Sequence, residues 1–573
     1  MVRDLPLGNG HFLVDFDLAY NLSDVYYDHA GQANQAAGKV SIFGVWAANG
    51  GLSWLGEGWQ IERRYRPQAL VTDVRAHNPA LNLRLEINDA VPAELNALVR
   101  RVTVHNLLPE EREVRLFWHL DMDLVAQPRA DTALYDPETK SVLIYKGRVW
   151  LLLSGYSEDQ PLGLAQYTVG NKGSFTDAYD GWLEGQPVAT VGVDAVGGIT
   201  ARVPGQGSHG VYFWRVAASQ LEGAVAEHEQ VAARGPGQLI AQTEQRWQRW
   251  LQSTRVDYSP LPERLGQLYE RSLLIVSSAL DHGGAAIASP DSSVERFNRD
   301  TYQYAWPRDG ALTAHAFDVA GYFDESHALF EFHAQALTHR QPWLWQKYNP
   351  DGSRGSTSLP MFNPRLHEPQ LHTEEDETAL IVWALSEHAH YCPHPDECLA
   401  RHYAGWARDA ADWLAAYRRD DNLPRPSPDL WEERYGLWSF TAGTIVGALE
   451  GAADLAHRLG RPEEEERYRQ TALVMRQAIE RWLYDENLRR FITGLRLGAG
   501  DEQPLAHADA SLYGLWAFGA FAPDDPRIVS TMQAIERELW LPTPVGGVAR
   551  QPGDRYQRRD PELPGNPWVV TTL

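Results

Sequence analysis

At about residue 235 the hydrophobic period of this chain changes, and that change divides what its two halves can fold into. Before it, short apolar runs alternate with turn residues: Val102 and Val104, then Val114, Leu116, Trp118 and Leu120 across Asn106 to Glu111. A period of two puts one face of each run in a core, so these are expected as strands joined in hairpins. Val142 to Leu153 behaves likewise around Lys146 and Gly147, and Gly210 to Val216 reads as a further aromatic-rich strand. An antiparallel β-sandwich follows.

Beyond the change, Leu239, Ile240, Trp247, Trp250 and Leu251 fall at helical spacing until Pro260 and Pro262 interrupt the chain. Periodicity and stop signals then predict helices at about 263–281, 309–321, 323–339, 376–391, 399–418, 439–459, 462–483, 508–520 and 525–538, with no obvious strand run between them. The expected organisation is a β-sandwich domain over 1–235, a helical linker over 236–259 and a helical domain over 260–573. A chain of 573 residues is long enough for two such cores. Long aromatic loops joining antiparallel helices suggest a toroid whose loops build a pocket at one end.

The balance of 76 acidic to 52 basic residues gives a formal charge of −24, which argues against nucleic acid or an anionic membrane as partner. A neutral substrate fits better, and 21 tryptophans and 24 tyrosines offer flat rings for the apolar faces of sugars, although aromatic cores explain most of them equally well. Cys392 and Cys398 alone provide neither a disulfide framework nor paired zinc half-sites, so reduced thiols, no metal and no cofactor are expected. The Met1–Gly10 segment has no basic region followed by an apolar stretch, and no run approaches a membrane span. A cytoplasmic monomer is the expectation.

Asp429-Leu430-Trp431-Glu432-Glu433-Arg434 sets two adjacent carboxylates between a tryptophan and an arginine. Glycosidic cleavage needs a carboxylic acid still protonated near neutral pH, and an apolar wall plus a neighbouring negative charge favour that state, which makes Glu432 the candidate. The plainer reading is a pair of solvated loop charges with Trp431 in the core. Tyr302-Gln303-Tyr304-Ala305-Trp306-Pro307-Arg308-Asp309-Gly310 precedes a helix. There the Arg308 fork and the Asp309 acceptor could hold a pair of sugar hydroxyls beside Trp306 or Tyr302. Equally, Asp309 could cap the helix with Arg308 paired to it. Gly546 to Arg550 and Gly565 to Trp568 again place arginine and aromatics among turn residues, and Trp343 to Gly355 carries strong turn chemistry. Glu374 to Glu377 is adequately explained as acidic charge at a helix start.

With these motifs in order, the chain resembles the glycoside hydrolase family 15 glucoamylases, especially bacterial members with an N-terminal β-sandwich, or supersandwich, before an (α/α)6 barrel. The resemblance runs through "LPLGNGHFLVDFD" (Leu5 to Asp17), "YAWPRDG", "KYNPDGS", "EDETA", "DLWEER" and "GNPW". It implies removal of glucose from the non-reducing ends of α-glucans or maltooligosaccharides with inversion of the anomeric centre. By that likeness Glu432 matches the general acid and Glu433 a contact on the leaving-group side. Arg308 and Asp309 match the grip on the terminal glucose, Tyr302, Trp306 and Trp431 match aromatic parts of the substrate site, and Arg550 and Trp568 match further contacts.

Inversion also requires a base carboxylate about 6.5–9.5 Å from the acid. Relatives carry it in a Pro-Glu-Gln type loop beyond "GNPW", and no residue of this chain matches it; Leu261-Pro262-Glu263-Arg264 precedes the barrel and is rejected. With nine predicted helices and a tenth starting near Pro567, the barrel is expected to be incomplete, lacking its last helices. Glu374 stands where many relatives have glutamine. Two other functions stay open: a disaccharide phosphorylase of similar architecture, which needs one carboxylic acid, and a catalytically dead glucan-binding fragment.

Overall fold

A computed structural model describes residues 4–572 apart from 49, 128, 255, 294–300, 339, 357–360, 366, 372, 395 and 499. The chain divides into two compact units, Met1–Tyr304 with Asn349–Asp351, and Ala305–Tyr348 with Gly352–Leu573. The first unit extends past the boundary expected at 260, because the helix Glu263–Ser278 packs against the strand Asp4–Gly8.

In the first unit a nine-stranded antiparallel sheet runs in the order Val188–Val191, Asp131–Asp136, Ser141–Lys146, Val149–Ser157, Ser208–Ala218, Ala97–Asn106, Leu83–Ala90, Thr72–Asn78 and Gln60–Tyr65. A five-stranded sheet runs Gln166–Gly170, Asp194–Val203, Arg112–Asp121, Phe43–Ala47 and Gly51–Trp54. The hairpin expected around Lys146 and Gly147 is present, with Lys146 opposite Val149. The one expected across Asn106 to Glu111 is not. Val102 pairs with Val211 and Ile87, while Leu116 pairs with Ile199 and Val45, so the two strands lie in different sheets. Asn106 directs this crossing: its side-chain amide donates to the Glu110 carbonyl at 2.7 Å and its side-chain oxygen accepts from the Leu108 amide at 3.1 Å, turning the chain between layers.

The helices are α1 (Leu221–Arg234), α2 (Pro236–Leu251) and α3 (Glu263–Ser278) in the first unit. The second holds α4 (Pro307–Ala320), α5 (Phe323–Ala336), α6 (Glu375–Tyr391), α7 (Asp396–His402), α8 (Arg408–Ala416), α9 (Ser439–Arg458), α10 (Pro462–Trp482), α11 (Gly514–Ala517), α12 (Pro526–Leu539) and α13 (Val569–Thr572). The expected linker helix is α2, and it packs on the nine-stranded sheet. Helices α6 and α9 are buried on nearly every face, the mark of an inner layer. Helices α4, α6, α9 and α11 pack side by side, and close approach of α9 to α11 depends on Gly447, where a Cβ would lie 2.2 Å from the Phe518 carbonyl oxygen.

Short strands do interrupt the helices, contrary to expectation: Ser427–Pro428, Tyr435–Trp438, Gly494–Leu497 and Glu502–Leu505 form one sheet. Two to four residues are too few for alternation to stand out in a sequence. The helix expected over 508–520 is a 3-10 turn, Ala510–Tyr513, followed by α11, and the one expected over 399–418 is α7 and α8 joined through a π-helical turn. Among the described residues no helix is long and apolar enough to cross a membrane.

Candidate functional site

Helices α4 and α6 run parallel, since Arg308 at the start of one meets Glu374 at the start of the other, and Asp318 near the end of one meets His388 near the end of the other. Their N-termini therefore open at the same end of the helical unit, where fixed partial positive charge gathers acidic groups. Pro307 suits the first helical position of α4, and the preceding Ala305 is held to Tyr348 by two backbone hydrogen bonds of 2.9 and 2.8 Å. This pairing brings "YAWPRDG" against "KYNPDG", and the Lys347 ammonium lies 5.1 Å from the centre of the Trp306 ring.

Arg308 turns inward. One terminal nitrogen of its guanidinium lies 3.0 Å from Glu374 Oε2, 2.7 Å from Asp376 Oδ2 and 3.0 Å from Glu377 Oε1, and its backbone amide donates to Glu377 Oε2. The three carboxylates are buried. The acidic run at 374–377 is thus the counter-charge of a buried arginine and more than a solvated helix start. Burial pushes the Glu377 carboxyl up, against the pull of Arg308. Trp306 and not Asp309 occupies the cap position of α4, and the first-turn amide of Arg308 is met by Glu377 from α6. Burial and the charge of Glu432 raise the Asp309 carboxyl, with Arg308 opposing. Glu375 faces elsewhere, into a cavity of about 520 Å³ walled by Trp343, Trp345, Trp413, Tyr417 and Tyr435. Burial lifts its carboxyl to about 8 despite hydrogen bonds from Tyr417 and Ser427.

The "DLWEER" loop is closed by its first residue. Asp429 Oδ1 accepts from the amides of Glu433 at 2.7 Å and Arg434 at 3.0 Å, Oδ2 accepts from Arg434 Nε at 2.7 Å, and the Asp429 carbonyl accepts from the Glu432 amide at 2.8 Å. Within this turn Glu432 takes a left-handed backbone conformation, φ 59°, which costs a residue with a Cβ about 1–2 kcal/mol. Such strain persists where the surroundings fix it, and it concentrates at functional positions. The side chain meets Trp306, whose Nε1 donates to Glu432 Oε1 at 3.3 Å across 126 residues of sequence.

Glu433 engages a third segment: Arg550 and Gln551 each donate to it at 2.9 Å. Arg550 also forks onto Asp554, at 2.8 and 2.6 Å, and its guanidinium carbon lies 5.1 Å from the Trp431 ring centre, 5.0 Å from that of Tyr556 and 5.9 Å from that of Trp568. Trp431 Nε1 donates to Asp509 Oδ1 at 2.9 Å. Eight of the nine sequence-designated residues thus form two linked groups: Trp306, Arg308, Asp309 and Glu432, and Trp431, Glu433, Arg550 and Trp568. Tyr302 belongs to the first compact unit. Sequence reasoning missed Asp376, Glu377, Asp429, Gln551, Asp509 and Asp554 as partners. Only Asp429 left a local signal, an aspartate opening a tight turn, which favours capping of the following amides.

The model of glycosyl hydrolases family 15 matches residues 263–573. An uncharacterized glycosyl hydrolase of Methanocaldococcus jannaschii is 23% identical over 540 residues, spanning 90% of this chain and 78% of that protein. Among solved structures, a bacterial glucoamylase complexed with acarbose superposes with a TM-score of 0.76 at 16% identity, over 96% of this chain and 79% of that one, a likeness of fold. The match of the family model to more than half of the chain, on the segment that carries both linked groups, shows that this protein belongs to glycosyl hydrolases family 15.

Proposed function

We propose that this glycoside hydrolase is an inverting, exo-acting α-glucosidase that releases glucose from the non-reducing ends of α-glucans or maltooligosaccharides, with Glu432 as proton donor. The observation that carries the reading is the Trp306–Glu432 hydrogen bond, which joins a residue of the sugar-gripping motif to the candidate acid. In this reading Trp306 walls the terminal glucose while Arg308 and Asp309 hold its hydroxyls. Glu433, set by Arg550 and Gln551, meets the leaving side, with Trp431 and Trp568 beside it. Glu432 gives its proton to the glycosidic oxygen as the bond to the anomeric carbon breaks, and water adds from the opposite face. Glu374, Asp376 and Glu377 are committed to Arg308, which removes them as the carboxylate that activates that water. Tyr302 is assigned to the substrate site by motif alone.

Incubation with maltotriose, with and without inorganic phosphate, followed by proton NMR at early times, tests the proposal. Glucose appearing first as the β-anomer at a phosphate-independent rate is expected. Phosphate-dependent formation of glucose 1-phosphate would overturn hydrolysis in favour of phosphorolysis, α-anomeric glucose would overturn inversion, and binding of maltotriose without turnover would overturn the enzymatic reading.

A further inference from the structure

Away from the N-terminal ends of α4 and α6, their opposite ends carry a second cluster. His327 on α5, His388 on α6 and Cys398 on α7 bring one ligand atom each to a common point, all within 4.8 Å of one another. His327 Nε2 and His388 Nε2 are 2.9 Å apart with their rings inclined at 57°. Asp318 on α4 accepts from His388 Nδ1 at 2.7 Å, which assigns the proton of that imidazole to Nδ1 and leaves the Nε2 lone pair facing His327 and Cys398. A carboxylate behind an imidazole is the arrangement that orients histidine ligands to metals.

A hydrogen bond between the two imidazoles accounts for their contact with no metal at all. It does not account for a thiol sulfur within 4.8 Å of both imidazole nitrogens. His402, also on α7, is excluded as a ligand through Nδ1, because that atom accepts from Trp406 Nε1 at 3.0 Å. His388 is buried, whereas His327 and Cys398 are half-exposed and give an ion a way in.

We infer that His327, His388 and Cys398 form a binding site for a divalent zinc-class ion that clips α5, α6 and α7 together, with Asp318 orienting His388. Two nitrogens and one sulfur suit a borderline-soft cation, and water completes a tetrahedron. Zinc–nitrogen bonds of about 2.0–2.1 Å at the tetrahedral angle set the two nitrogens about 3.4 Å apart, so the imidazoles need part by only about 0.5 Å. Burial keeps the Cys398 thiol protonated, raised to about 11, and binding releases that proton to solvent. These four side chains are distinct from the residues assigned to sugar chemistry, so the inference stands apart from the proposed function.

The test uses the whole chain, stripped with EDTA and titrated with zinc against a chromophoric chelator, then with cobalt. One zinc per chain is expected, with a thiolate-to-cobalt charge-transfer band and tetrahedral visible bands. Cys398→Ser should abolish the charge-transfer band, and His327→Gln and Asp318→Asn should each weaken binding at least about tenfold. In the unaltered chain zinc should slow alkylation of Cys398 at least about tenfold relative to Cys392, a readout that depends on no variant folding. Absence of stoichiometric zinc, a cobalt complex without the charge-transfer band, or Cys398 alkylated equally fast with and without zinc would overturn the site.

Discussion

Replacing Arg308 by Met removes a cation whose side chain is 12% exposed and leaves Glu374, Asp376 and Glu377, whose side chains are 0%, 1% and 0% exposed, without their shared partner. Breaking a buried ion pair by deleting one member costs about 3–5 kcal/mol, because the remaining charge stays desolvated. For a unit of this size that corresponds to a fall in melting temperature on the order of 10 °C. The loss should depend on pH in a definite sense. Burial already raises the folded-state Glu377 carboxyl against the pull of Arg308, and without Arg308 it rises further above its unfolded value, so between the two values the folded state holds more protons. Stability then falls as pH rises, by up to about 1.4 kcal/mol per pH unit for that group. Calorimetric melts of Arg308→Met and the unaltered protein at pH 5, 6.5 and 8 should show a deficit that is smallest at pH 5 and largest at pH 8. A deficit under about 2 °C, or one that is constant across this range, would refute the counter-charge account of the 374–377 cluster.

Glu375→Gln tests the other member of that run. Its folded carboxyl stands at about 8 against an ordinary 4.5, so the unaltered protein loses stability as pH rises between those values and the amide variant does not. The variant's melting temperature relative to the unaltered protein should therefore climb by several degrees from pH 5 to pH 9; a flat difference would count against burial as the cause. Asp429→Ala deprives the Glu433 and Arg434 amides and Arg434 Nε of their acceptor, loosening the turn that carries Glu432. Glucose-release kinetics should show kcat down by about 10- to 100-fold with KM little changed, and an unaltered kcat would contradict the positioning role. Arg550→Lys cannot reproduce the fork onto Asp554 with a third bond to Glu433, so KM for maltotriose should rise several-fold, which steady-state assays can exclude.

The two fold classes were legible because their hydrophobic periods differ over many residues. Where the chain changed sheets at Asn106, local pattern misled, since alternation is the same whether the next strand pairs beside the last or across the sandwich. Glu432 and Arg308 could be nominated from neighbouring residues. What surrounds them could not: the partners of Arg308 lie 66 and 68 residues on, and that of Glu433 lies 117 residues on. The acidic run at 374–377 shows the difficulty most clearly. Four consecutive acidic residues at a helix start satisfy the helix dipole by themselves, and nothing local reveals that three of them turn inward onto one guanidinium. Cys398 is similar, a lone thiol in sequence that acquires two imidazole neighbours only when α5, α6 and α7 pack.

The central claim rests on one carboxyl group, and Glu432→Gln tests it most directly because the amide keeps the size of the side chain and an oxygen acceptor for Trp306 Nε1. Initial rates of glucose release from maltotriose should fall by about 10²- to 10⁴-fold, with the melting temperature and maltotriose affinity unchanged. Turnover by the variant within about threefold of the unaltered protein would contradict the assignment of Glu432 as the proton donor.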